Sequence, residues 1–214
     1  MTRAARAVAA AGAVIGAFGL ALEFITLYQG MSHDGALAVV WRYFAYFTIL
    51  TNTLVTLVMA RAALAPERRS GLNAPRVELM AVTSILFVCI VYNLLLASRW
   101  DPQGWQKVAD LTVHQVVPVL FVLFWWLRPH GLLIWRDALF SASWPAAYAG
   151  YGLSRGAFDG YYPYFFMDPS QAPWTSVLLN MAGLVIAFVL GALALIGASR
   201  ALKRSPADLD ALRN

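Results

Sequence analysis

Six long, mostly apolar runs separated by short polar links constrain this chain more than any other feature. They lie at Ala4–Tyr28, Ala36–Ala62, Val77–Ala97, Val108–Leu127, Leu132–Leu153 and Trp174–Ser199. Each reaches the roughly 20 residues that a helix needs to cross a bilayer. In lipid, an open strand would leave backbone groups unpaired at several kcal/mol each, so the runs must be helices. The expected fold is therefore all-α: a polytopic integral membrane protein built as a six-transmembrane-helix bundle. Residues 1–205 form one domain and residues 206–214 a short polar C-terminal tail. The composition agrees. Hydrophobic residues make up 60% of the chain and charged residues 13%, against about 45–50% and about 25% in soluble domains.

The first run opens with Arg3 and Arg6, and Ala36-Leu37-Ala38 resembles a cleavage site. A leader's apolar core is only about 7–15 residues long, which favours a retained spanning helix. With the N-terminus placed in the cytoplasm, twelve basic residues fall on the inner side. They are Arg3, Arg6, Arg61, Arg68, Arg69, Arg76, Arg128, Arg136, Arg200, Lys203, Arg204 and Arg213. The outer side carries four: Arg42, Arg99, Lys107 and Arg155. The asymmetry predicts a multi-pass protein of the cell membrane with both termini cytoplasmic. The net charge of +5 then reflects topology and contact with anionic membrane lipids rather than nucleic acid.

Ionisable groups inside a span are costly and are candidates for function. Glu23, Arg42, Asn93, Asp110, His114 and Asn180 all sit toward the outer ends of their runs, describing a polar cavity in the outer half of the bundle. The inner half looks nearly featureless. In one continuous second helix, Arg42, Ala45, Thr48, Asn52 and Thr56 share a face about 120° wide, with Thr51 at its edge. In the fourth run, Asp110 stands one turn before His114, the spacing at which helix side chains meet. Such a carboxylate can orient an imidazole, as in hydrolase triads. Pro118 has no N–H for the carbonyl of His114 and makes this stretch more polar. Glu23 and Arg42 share a depth. They either neutralise each other or form a site in which Arg42 takes a substrate carboxylate and Glu23 steadies it.

No metal or cofactor is expected. His33, His114 and His130 have no second ligand at metal-binding spacing. Phosphate-loop, serine-elbow and haem motifs are lacking, and the lone Cys89 reads as a small buried hydrophobe. The link Gly156–Pro173, with Tyr161-Tyr162-Pro163-Tyr164-Phe165-Phe166, reads as an interfacial anchor or as a lid over an amphipathic ligand.

Three landmarks carry a family resemblance: Trp41-Arg42-Tyr43-Phe44-Ala45-Tyr46-Phe47-Thr48, then Asp110-Leu111-Thr112-Val113-His114 with Pro118, then Tyr162-Pro163-Tyr164-Phe165. In their order the chain resembles the prokaryotic six-transmembrane-helix family. More distantly it is similar to the androgen-induced and androgen-dependent TFPI-regulating membrane threonine hydrolases of animals. The resemblance implies cleavage of fatty acid esters of hydroxy fatty acids by an intramembrane Thr and His. The His carries over to His114. An ungapped match puts the Thr at Ala45, and a shift of about one turn puts it at Thr48, with Thr51 as the fallback.

The expectation is thus an intramembrane lipid-ester hydrolase with an outward-facing pocket: Thr48 as nucleophile, His114 as base and Asp110 as orienting group. Arg42, Asn52, Asn93, Glu23 and Tyr164 would bind a lipid or fatty-acyl ester that enters laterally. Arg42, Asn52 and Asn93 are the candidate oxyanion donors. The alternative is a non-enzymatic lipid-binding or transport protein. On upright, unbroken helices Thr48 and His114 would differ in depth by roughly 9 Å.

Overall fold

The computed structural model describes residues 1–31, 33–129 and 132–201. Among these the chain is helical, with no strand. Eight α-helices follow one another: α1 Arg3–Gly30, α2 Ala36–Tyr43, α3 Phe47–Leu64, α4 Pro75–Val91, α5 Gly104–Leu111, α6 Val117–Trp126, α7 Asp137–Asp159 and α8 Trp174–Ala201. A π-helical segment, Tyr92–Leu96, extends α4, and another, Thr112–Val116, joins α5 to α6. Five of the resulting helical units are long and apolar enough to cross a membrane: Arg3–Gly30, Phe47–Leu64, Pro75–Arg99, Gly104–Trp126 and Trp174–Ala201. The chain is a polytopic helical membrane protein. Its proposed tail, 206–214, lies outside the described residues, as does His130.

Two expected spans come out differently. The run Ala36–Ala62 is not one helix. The chain turns at Phe44–Tyr46, so only Phe47–Leu64 has the length of a span. The hydrogen bond from the N–H of Ala45 to the carbonyl of Arg42 closes a tight turn there, and Tyr46 then adopts extended backbone as the cap of α3. The expected run Leu132–Leu153 becomes α7, displaced to Asp137–Asp159. Its 23 residues are long enough to cross, but its many Ser, Gly, Tyr, Trp and Pro residues leave it less apolar than the other five.

The core joins α3, α4, α6 and α8 through Val55, Met59, Leu79, Ile85, Phe121, Phe124 and Ile196. α1 lies against α3, α5 and α6, and α7 against α4 and α8. Close approach of α1 depends on small residues, because lipid supplies no hydrophobic drive between helices. A Cβ on Gly16 would fall 2.2 Å from Thr56 Oγ1, and one on Gly19 would fall 2.6 Å from Thr112 Cγ2. Gly19 therefore sets the position of the π segment that carries His114.

The end of the bundle where α3 finishes and α4 starts is not featureless. Glu78 is buried to 1% exposure and Arg128 to 4%. Arg128 Nη2 lies 2.6 Å from Glu78 Oε1, and Nε donates to the same oxygen at 3.0 Å. Arg69 adds a contact of 3.3 Å to Oε2 and donates to the carbonyl of Pro129 at 3.1 Å. This network ties the α3–α4 link to the segment after α6. A buried ion pair of this kind holds only while both charges and their hydrogen bonds are in place.

Candidate functional site

The break at Phe44–Tyr46 decides where Thr48 sits. Thr48 is the second residue of α3, not a mid-helix residue. The first-turn N–H groups of a helix have no partner inside it, and here they belong to Phe47, Thr48 and Ile49. The N–H of Thr48 donates to the Tyr164 hydroxyl at 3.4 Å. The depth gap expected for an unbroken helix is gone: Thr48 Oγ1 lies 3.4 Å from His114 Nε2.

His114 sits in the π segment, and the geometry around it settles its tautomer. Nδ1 faces the backbone carbonyl of Asp110 at 3.0 Å and Asp110 Oδ1 at 3.2 Å. Both partners only accept, so Nδ1 carries the proton in the neutral ring. Nε2 is then the unprotonated nitrogen, and Thr48 donates toward it. Asp110 is fixed in turn by the Tyr92 hydroxyl, which donates to Oδ2 at 2.5 Å. The Tyr92 ring also stacks on the imidazole, with centroids 3.8 Å apart and planes 15° off parallel. Tyr92 therefore holds both members of the pair. Nothing in the apolar run Val77–Ala97 marks it out.

The π segment exists for a legible reason. The N–H of Val117 bonds to Thr112 rather than to Val113. The next residue able to serve the Val113 carbonyl in π geometry is Pro118, which has no N–H. Asn52 fills the vacancy. Its Nδ2 donates to the Val113 carbonyl at 3.1 Å and to the Thr48 carbonyl at 2.9 Å. Asn52 thereby clamps α3 to the segment holding His114. With both amide protons engaged and no exposed surface, it is not a free oxyanion donor.

A cavity of about 320 Å³ lies over the pair, lined by Glu23, Tyr43, Tyr46, Thr48, Ile49, Tyr92, Asp110, His114 and Tyr164 among others. It reaches the surface at Arg99 and Trp100, both exposed. Of the expected residues, Thr48, His114, Asp110, Glu23 and Tyr164 share this space. Three do not. Arg42 stacks its guanidinium carbon 3.4 Å from the centre of the Tyr161 ring and does not line the cavity. It forms no ion pair with Glu23, because the turn after Tyr43 ends α2 and directs Arg42 to the aromatic loop. The cationic side chain in the lining is Arg99, which also lies over Phe165 at 4.1 Å. Asn93 is exposed, pairs with Gln115 at 3.0 Å and is turned away, since the π segment Tyr92–Leu96 brings Tyr92 inward instead. Asn180 is also exposed, donating to the carbonyl of Phe166.

Thr51, the fallback nucleophile, is fully buried and accepts from Trp144 Nε1 at 3.1 Å. Its hydroxyl is directed to α7. Among the described residues, no group of three or more His, Cys, Asp or Glu is arranged to hold a metal.

No family model, curated protein or solved structure matches the chain.

Proposed function

We propose that this protein is a six-helix intramembrane hydrolase of lipid esters, with Thr48 as nucleophile, His114 as base and Asp110 as the group that orients the base. α7 is the sixth span in this reading, and the cavity faces outward with both termini in the cytoplasm. The carrying observation is the 3.4 Å approach of Thr48 Oγ1 to a His114 nitrogen that must be unprotonated in the neutral ring. The distance is long for a hydrogen bond, as it often is before substrate arrives. The resemblance in the Thr48, His114 and Tyr164 segments to membrane threonine hydrolases points the same way.

The chemistry follows from the arrangement. His114 Nε2 takes the proton of Thr48 as Oγ1 attacks the ester carbonyl carbon. The oxyanion develops beside the first turn of α3, where the N–H of Ile49 has no partner within the helix and the N–H of Thr48 exchanges its long 3.4 Å bond to the Tyr164 hydroxyl for the oxyanion. These replace Asn52 and Asn93 as the donors. The C–O bond to the alcohol breaks, and the alcohol leaves with the proton held on His114. Water, deprotonated by the same imidazole, then cleaves the acyl-threonine and releases the acid. Asp110 stabilises the imidazolium formed in each half.

The network of Glu78, Arg128 and Arg69 closes the opposite end of the bundle. That argues against the transport alternative, which needs a second polar vestibule there. The test is turnover of lipid and short-chain esters by the purified protein. Thr48→Ala and His114→Ala should each abolish it with the folded fraction unchanged, whereas full activity in Thr48→Ala would end the assignment.

A further inference from the structure

A second cavity, of about 80 Å³, meets the first at Thr48. Thr48, Tyr92, Leu96 and Tyr164 belong to both linings. The two spaces differ in chemistry. The first holds Glu23, Asp110, His114 and Arg99, while the second has no ionisable acid, base or amide in its lining apart from tyrosine hydroxyls. Those hydroxyls are engaged: Tyr92 donates to Asp110, Tyr148 donates to the carbonyl of Ala45, and Tyr164 accepts from Thr48. The remainder is Phe47, Val88, Met167, Met181, Val185 and similar side chains. An apolar space of this kind takes hydrocarbon rather than water.

We infer that this second cavity is the acyl arm of the site and that it holds a medium-length chain. The inference rests on the hydrolase reading. Its direction comes from the proton transfer. The leaving alcohol must collect its proton from His114, and His114 lines only the polar cavity. The alcohol therefore lies on the polar side of Thr48, and the acyl chain on the other. The length comes from the floor. Along α4 and its π extension the two cavities share Leu96 and Tyr92, and below Tyr92 the lining of the second runs on to Phe87, about 7 Å at 1.5 Å per residue. Below it Phe87 packs against the buried Phe188, with ring centroids 5.5 Å apart. An extended chain advances about 1.2 Å per bond, so about six carbons fit beyond the carbonyl.

The experiment uses the full-length protein with p-nitrophenyl esters from acetate to palmitate. Rates for each variant are expressed relative to its own acetate rate. kcat/KM should rise by up to about fourfold per methylene, peak at hexanoate or octanoate, and fall beyond. Val185→Phe, which fills the arm, should move the optimum to butanoate or shorter, and Phe87→Ala should move it longer. A profile that climbs steadily to palmitate, or one that neither substitution shifts, overturns the acyl arm while leaving the hydrolase reading standing. A second measurement needs no turnover. Thr48→Ala is photolabelled with an octanoate ester bearing a terminal diazirine. Crosslinks at Met181, Val185 or Phe87 support the arm. Crosslinks confined to the exposed faces of α8, such as Leu178, Leu179 and Ile186, overturn it. If no ester is hydrolysed, the hydrolase reading falls, and with it the acyl arm as a catalytic subsite.

Discussion

Asn52→Leu separates a structural clamp from a substrate donor. The substitution nearly conserves volume but removes both donated bonds. The Thr48 carbonyl keeps its own helix partner, so it loses the lesser interaction. The Val113 carbonyl loses its only identified partner, because Val117 serves Thr112 and Pro118 has no N–H. An orphaned buried acceptor costs about 1–3 kcal/mol. Taking about 2 kcal/mol, and about 2–4 °C per kcal/mol for a chain of this size, Tm should fall by about 4–8 °C. The assay is thermal unfolding in detergent or nanodiscs, followed by ester turnover at a temperature where the variant is folded. kcat should fall while KM holds, since the loosened π segment moves His114 away from Thr48. An unchanged Tm with a large loss of kcat would refute this reasoning and return Asn52 to the role of an oxyanion donor.

Thr51→Val should retain turnover, because its hydroxyl serves Trp144 rather than His114; loss of activity with an intact fold would reopen its candidacy. Asp110→Asn should lower kcat by about 10²–10⁴-fold with little change in KM, read from steady-state kinetics, because the imidazolium formed in each half-reaction loses the carboxylate beside it while the Asp110 carbonyl still holds the Nδ1 proton. Glu78→Gln should destabilise by about 3–5 kcal/mol by stranding Arg128, and a paired Glu78→Met, Arg128→Met variant should be more stable than the single one in denaturant titration. Gly19→Leu should reduce both Tm and kcat by pushing Thr112, and with it the His114 segment, off α1.

The spans were legible because apolar length is a direct physical requirement of the bilayer. α1, α4 and α8 fall close to their expected runs. The break at Phe44–Tyr46 was not legible, since no Gly or Pro marks it. Its clue is length: Ala36–Ala62 exceeds what one crossing needs. That single turn accounts for most of the differences in the site. It carries Arg42 away to Tyr161, places Thr48 in a first turn whose N–H groups have no partner within the helix, and removes the depth gap to His114. The pairing of Asp110 with His114 was readable from their spacing, and Pro118 hinted at irregular backbone. Tyr92 was hidden, because stacking and donation to Asp110 depend on how a π segment rotates a residue, which periodicity does not encode. Glu78 and Arg128 went unread for a similar reason: each looks like an ordinary polar end of a run until the two ends meet.

The central claim is that Thr48 becomes covalently acylated with His114 as its base. The most direct measurement is a fluorophosphonate probe on the purified protein, with the modified residue located by mass spectrometry. A phosphonyl adduct on Thr48, formed far more slowly in His114→Ala, is the predicted result. An adduct on Thr51, Ser84 or another hydroxyl, together with undiminished ester turnover in Thr48→Ala, would contradict it.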